Sequence, residues 1–400
     1  MNGSEDCLYL GLYSRPWSSA SPLRPVVVVF FGGAFIEGGG SFAIPPAGYP
    51  ILNVSASNDI IFVYPNYRVN AFGFLPGSEI ASSATSDLNP GLLDQQAALI
   101  WTQKYIEQFG GDPNNVSIWG QSAGAGSVVA QVIATGNIGK GLFDRALASS
   151  PFWPKTYKYD ASQAQAIYDT LASLTGCAGP ESLTCLKSAD VQTIRTAALA
   201  ISGSHTYNTS SYTWTPVIED EGGFLAETLS QATINGRVNI DVGWGMYNTH
   251  EGLSHRIFYH KIYLLTSITG ENFIPPGLAN VNNTGSPAFN SSTMSFDNWL
   301  RGFLPGFSDR NIGRVLELYP PIGSSEEILS YNTTYTQAGL IYRDVVLACP
   351  TYWMARAAHK KSYVGEYSIS PAKHASDTEW VGHSPLSLVR RGSKSCSGIK

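Results

Sequence analysis

The residues of this chain best placed to do chemistry are Gly120-Gln121-Ser122-Ala123-Gly124, a G-x-S-x-G that follows the apolar run VSIWG and opens the helical run GQSAGAGSVVAQVIA. In that setting Ser122 is a candidate nucleophile. A turn from strand to helix this tight leaves no room for Cβ atoms at the two glycines, and it holds the serine strained and exposed at a helix N-terminus. A serine hydroxyl is a weak nucleophile alone, so acyl transfer also needs a base, a group to orient that base, and N–H donors aimed at the developing oxyanion. FGGAF at residues 31–35 ends an apolar run with backbone free to curl, which makes Gly33 and Ala34 candidate donors, and Ala123 after the serine is a third. Two alternatives stand beside this: FGGAF is merely a loose strand end, or the GGG at residues 38–40 takes that role.

The elements that must position these residues are legible in the first third of the chain. Apolar runs at residues 25–33, 59–65 and 116–120 read as strands. Between the last two, LLDQQAALIWTQKYIEQF repeats its apolar positions at helical spacing. Strand, helix, strand predicts a mostly parallel sheet with helices on its faces, and RALASS at 145–150 supplies the next strand. From about 155 to 235 the pattern changes to amphipathic helices, clearest in ASQAQAIYDTLASL and ADVQTIRTAALAI, which predicts a cap over the sheet. NIDVGWGMY at 239–247 returns to the core, a Gly/Asn/Ser-rich loop region follows, and SYVGEYSI at 362–369 is a late strand. The expected organisation is one domain over residues 1–400, with core at about 1–153 and 239–380, a helical cap at about 154–238 and an atypical tail at 384–400.

Composition narrows the function classes. Four hundred residues that are 43% apolar bury a large core. A net charge of −5 with scattered basic residues offers no face for a polyanion, so nucleic acid is not an expected partner. No apolar run reaches the roughly 18 to 20 residues needed to span a bilayer. None of the five cysteines forms a Cys/His cluster with metal-site spacing, so no structural metal is expected, whereas Cys177 and Cys185 are close enough to close a small disulfide loop. N-x-S/T sequons at Asn2, Asn53, Asn115, Asn208, Asn282, Asn290 and Asn332 point to a secretory, glycosylated product, although MNGSEDCLYL has no signal-peptide pattern.

At this point several separated motifs resemble one family. FGGDPNNVSIWGQSAG at 109–124, SEDCLYL at 4–10, NYRVNAFGFL at 66–75 and LLDQQAALIWTQKYI at 92–106 are similar to the type B carboxylesterases, which include cholinesterases and fungal extracellular lipases. The resemblance is strong over about 4–190 and patchier afterwards. It implies an α/β-hydrolase fold, cofactor-free cleavage of small-molecule or lipid carboxylic esters through an acyl-enzyme, and secretion. It also implies the rest of the site. The family's acid is a Glu-Gly after a late strand, which matches Glu251-Gly252 after DVGWGMY; Glu221 in PVIEDEGGFL is the competitor.

With chain order Ser, acid, His, the base falls among His255, His260, His359, His374 and His383, and the family's H-G-x-D/E loop selects His374 with Asp377 three residues on. The family glycine is here Ala375, as Ala34 stands where relatives often carry Gly. By analogy Phe35, Phe152 and Trp153 line the acyl or alcohol pocket, unless they are ordinary core.

Departures from the family are expected to matter as well. The opening strands and the cysteine that would pair with Cys7 are missing, 254–270 is foreign, and VGHSPLSLVRRGSKSCSGIK matches no family ending, so the chain reads as a truncated or mis-spliced member. The rival function is a non-catalytic, cholinesterase-like adhesion protein; within catalysis, the rivals are a triacylglycerol lipase and a serine amidase or peptidase.

Overall fold

The computed structural model describes residues 5–40, 48–55, 60–135, 141–205, 212–251, 295–321, 331, 334–370 and 372–378. The 254–270 segment, the 384–400 tail, His255, His260 and His383 lie outside the described residues, as do all sequons except Asn53 and Asn115.

Among the described residues seven strands make one sheet: β1 (Leu10–Tyr13), β2 (Arg24–Phe30), β3 (Ile61–Pro65), β4 (Gly111–Gln121), β5 (Arg145–Ser149), β6 (Val242–Asn248) and β7 (Lys361–Tyr367). Their order is β1-β3-β2-β4-β5-β6-β7, with β1 antiparallel to β3 and every other pair parallel. Parallel neighbours need long crossovers, and the helices Pro90–Tyr105 and Ala123–Val132 supply those into and out of β4. Covering a sheet on both faces buries its strands on both sides, which is why β3 reads IFVYP with every residue buried. In β2 the pleat sends Val26, Val28 and Phe30 into the main core while Val29 meets Phe62, Tyr64 and Leu52 on the other face. Each fully buried aliphatic of this kind contributes about 1.5–3 kcal/mol. Among the described residues no helix is long and apolar enough to cross a membrane.

The parallel α/β architecture agrees with the sequence reading, and its boundaries shift. β2 ends at Phe30, so 31–33 already belongs to the turn, and β4 begins five residues before the apolar run at 116. The helix expected over 92–109 stops at Tyr105 and tightens into a 3₁₀ turn, Ile106–Phe109, that Gly110 ends at φ 82°. The amphipathic helices are present as Ser162–Leu174 and Val191–His205 and pack on one another. Cys177 and Cys185 form a disulfide beside them.

The loop region expected before 362 is a correction. It holds the helices Phe296–Phe303, Asp309–Leu318, Thr334–Arg343 and Cys349–Ala357, with a π-helical turn at Asp344–Ala348. The first two carry N-caps that the composition obscured: the hydroxyls of Ser295 and Ser308 accept from the N–H groups of Asn298 and Asn311.

Candidate active site

β4 delivers Ser122 to the C-terminal edge of the sheet. The serine sits at φ 58° and ψ −126° between the strand and the helix Ala123–Val132, a sparsely populated positive-φ conformation that costs about 1–3 kcal/mol. The glycines of the motif are steric requirements. A Cβ on Gly120 would stand 2.2 Å from the Gly124 carbonyl, and one on Gly124 would stand 2.1 Å from the Phe30 carbonyl. Three backbone bonds hold the turn: Ser122 N–H donates to Ser149 O (3.0 Å), while Gly126 and Phe152 donate to Ser122 O (2.9 and 3.0 Å).

The end of β2 lies against this turn. A Cβ on Gly32 would be 3.2 Å from the Ser122 Cβ. Gly33, Ala34 and Phe35 all have positive φ (122°, 54° and 62°), so the segment 31–35 is a formed loop rather than a loose strand end. It is pinned by the Tyr67 hydroxyl donating to Phe31 O (2.6 Å), by Ile36 N–H donating to Gly33 O (2.9 Å) and by Asn70 N–H donating to Phe35 O (2.7 Å). Ala123 is the first residue of its helix, where N–H groups have no intrahelical acceptor.

The other two polar candidates arrive from far along the chain. His374 Nε2 lies 2.7 Å from Ser122 Oγ, and His374 Nδ1 lies 3.4 Å from Glu251 Oε1. Glu251 is fully buried at the turn after β6. Glu221, its competitor, is exposed on a surface turn, and His359 is exposed as well. The turns bearing the acid and the histidine are joined by His250 N–H to Ala372 O (2.8 Å) and by Asn248 Nδ2 to Asp377 Oδ1 (2.9 Å). Arg343 Nη1 donates to Thr249 O (2.9 Å), steadying the acid's turn from behind. Ala375 has φ 64°, which explains why the family's loop has a glycine there and marks a strained substitute in this chain. Burial pushes the Asp377 carboxyl above the usual carboxylate range, with nearby Glu251 adding to the effect; burial does the same to Glu37 beside the Gly33 turn.

Phe35 and Phe152 are fully buried; Phe35 tilts against Phe74 at 5.0 Å and Phe152 meets Tyr212 edge-on at 4.7 Å. Trp153 is buried and its backbone N–H donates to Val346 O (3.0 Å) in the π-helical turn. No group of three potential metal ligands occurs among the described residues. Sequence reading passed over Asn248 and Gln121. Gln121 fills the free position of G-x-S-x-G, and its adjacency to Ser122 was the only available signal.

Comparison with known proteins identifies relatives of the chain. The model of the carboxylesterase family matches residues 1–389. Secreted lipase 1 of Botryotinia fuckeliana is 37% identical over 221 residues, which is 54% of this chain and 38% of the lipase. Carboxylesterase patB of Penicillium expansum is 30% identical over 388 residues, covering 94% of this chain and 62% of the relative, so the chain spans less than two thirds of either relative. The crystal structure of Aspergillus niger EstA superposes with a TM-score of 0.67 at 27% identity, over 89% of this chain and 61% of EstA. With the family match running through both the nucleophile turn and the histidine turn, this protein belongs to the carboxylesterase family.

Proposed function

We propose that this chain is a secreted serine ester hydrolase in which Ser122 is the nucleophile, His374 the base and Glu251 the acid that orients it, with the N–H groups of Gly33, Ala34 and Ala123 forming the oxyanion hole. The observation that carries the reading is the 2.7 Å approach of His374 Nε2 to Ser122 Oγ across 252 residues of chain. A histidine brought that far to a serine at a strained turn, itself only 9% exposed, is the arrangement general-base activation requires.

In the mechanism, His374 removes the Ser122 proton as Oγ attacks the ester carbonyl. The resulting oxyanion points at the loop N–H groups. Collapse breaks the bond to the alcohol, which leaves with the proton from His374, and the acyl group stays on Ser122. Water then adds to the acyl carbon, giving its proton to His374, and the acid departs as Ser122 Oγ regains that proton. Glu251 holds the imidazole in the tautomer that keeps Nε2 facing the serine and stabilises its charged form. Relatives named as secreted lipases support an extracellular setting, as does the Cys177–Cys185 disulfide.

The test is labelling with a fluorophosphonate probe together with hydrolysis of p-nitrophenyl acetate and butyrate, in the parent and Ser122→Ala. Both signals are expected in the parent. In the variant, labelling disappears and turnover falls by about 10⁴-fold or more. A folded parent that neither labels nor turns over would overturn the catalytic reading in favour of a binding protein.

A further inference from the structure

Glu251 is fully buried, and neither of its carboxylate oxygens accepts a hydrogen bond from the described residues. Its place is therefore set by the backbone turn that carries it. On one side that turn is tied to β7 and the loop after it. Thr249 N–H donates to Tyr367 O (3.1 Å), the Thr249 hydroxyl to Glu366 Oε1 (2.9 Å) and His250 N–H to Ala372 O (2.8 Å). β7 is the largely exposed edge of the described sheet, where backbone hydrogen bonds open most easily.

On the other side stands Arg343, at the end of the helix Thr334–Arg343, with the fully buried Ile341 and Tyr342 just before it. Arg343 Nη1 donates to Thr249 O (2.9 Å). The rest of the guanidinium is fixed. Nε and Nη2 reach Asp344 Oδ1 at 2.8 and 2.6 Å, and the Tyr319 hydroxyl donates to Asp344 Oδ2 at 2.6 Å. The Tyr247 ring, on the strand that leads to the acid, lies 5.6 Å from the guanidinium carbon. The Arg343 side chain is only 15% exposed. A planar fork anchored on one carboxylate aims its remaining N–H in one direction, which an ammonium on a flexible stem does not do.

We propose that Arg343 is a positioning residue for ester hydrolysis: through the Thr249 carbonyl it holds Glu251 where its charge meets His374 Nδ1, and Asp344 with Tyr319 sets its aim. This rests on the Ser122–His374–Glu251 reading above. Glu251 stands 3.4 Å from Nδ1, already longer than a good hydrogen bond, so further drift of the turn weakens its hold on the imidazole. The same imidazole takes and returns protons in acylation and in deacylation, so both steps slow together when it is misaligned. The loss falls on kcat, while KM stays near the parent's.

Steady-state hydrolysis of p-nitrophenyl butyrate tests this in the parent, Arg343→Met, Arg343→Lys and Tyr319→Phe, with each Arg343 change repeated in Glu251→Ala. Arg343→Met is expected to lower kcat by about 10- to 10²-fold, the effect of a misplacement of about 1 Å, with KM within about twofold. Arg343→Lys recovers part of that loss, since it keeps the charge but not the fork. Tyr319→Phe lowers kcat by about threefold, less than one directly lost hydrogen bond. In Glu251→Ala no acid remains to be positioned, so Arg343→Met changes the residual rate by less than about twofold. A merely structural role would lower the rate by the same factor in both backgrounds. An unchanged kcat in Arg343→Met, a loss confined to KM, or equal losses with and without Glu251 overturns the proposal. If Arg343→Met lacks the parent's circular dichroism, Arg343→Lys, which keeps a cation beside Asp344, is read against the same outcomes. A parent that does not label with fluorophosphonate, or Glu251→Ala at the parent's rate, removes the Ser122–His374–Glu251 reading and this inference with it. A labelled parent with a slow Glu251→Ala leaves that reading standing and confines the failure to Arg343.

Discussion

The nucleophile half of the site and the acid–base half are built differently. Ser122 and the Phe31–Phe35 loop hang from β2 and β4, central strands flanked by neighbours, and their shape is enforced by backbone packed so closely that a Cβ added at Gly120 or Gly124 would stand 2.1 to 2.2 Å from a carbonyl. Glu251 and His374 follow β6 and the region beyond β7, at the end of the described sheet, where β7 is largely exposed with Tyr363 at 54%. There the geometry depends on a few hydrogen bonds between turns, and the Nδ1 to Oε1 separation of 3.4 Å is longer than a good hydrogen bond. On the proposed reading, the nucleophile is held by steric exclusion and the base by tethering. Side chains added to the glycines of the first half should therefore act mainly on stability, and loss of the orienting charge in the second mainly on activity.

The largest expected effect belongs to the tethered half. Glu251→Gln should lower kcat/KM for p-nitrophenyl butyrate by about 10³- to 10⁴-fold with little change in melting temperature, since the imidazole loses its orienting charge. Glu221→Gln should leave activity unchanged, and equal losses in the two variants would sink the assignment of the acid. Next comes the sterically enforced half. Gly124→Ala forces a Cβ to within 2.1 Å of the Phe30 carbonyl, and urea unfolding should show destabilisation of about 3 kcal/mol or more. A mild loss would mean that β2 and the helix after Ser122 separate more easily than their contacts indicate.

Two smaller effects sharpen the comparison. The folded pKa of Asp377 is raised above its unfolded value, so the native state keeps a proton that the unfolded chain releases. Its contribution to stability is present at low pH and is lost as pH rises from about 4, the ordinary carboxylate value, through the raised one. Asp377→Asn keeps an acceptor for Asn248 and removes that loss, so the variant's melting temperature relative to the parent should climb across this window. A difference flat with pH would show that the carboxyl is not desolvated. Smallest of all, Ala375→Gly relieves a left-handed alanine at φ 64° and should stabilise by up to about 1 kcal/mol in thermal unfolding, with no gain if the turn relaxes on its own.

Much of the nucleophile half was legible in the chain. G-x-S-x-G and FGGAF state their geometry locally, because only glycine tolerates those approaches and because the flanking apolar runs must be buried strands. The helices between 296 and 357 were not legible, since a Gly/Asn/Ser-rich stretch before them masked the caps at Ser295 and Ser308. Boundaries moved for the same kind of reason: a strand's end is set by when its neighbours stop pairing, and β2 stops at Phe30 so that the next residues can turn toward Ser122.

By itself, then, the sequence determined the alternation of elements, the strained serine turn and the residue types from which an acid and a base must be drawn. Those follow from local sterics and periodicity. The family motifs had already singled out His374 and Glu251; only the tertiary structure brings His374 to 2.7 Å from Ser122, sets Glu251 and not Glu221 behind it, and stands Gln121 and Asp377 beside them. Those pairings join positions more than a hundred residues apart, and the β6–β7 register that aligns the two turns arises only when the whole sheet is assembled.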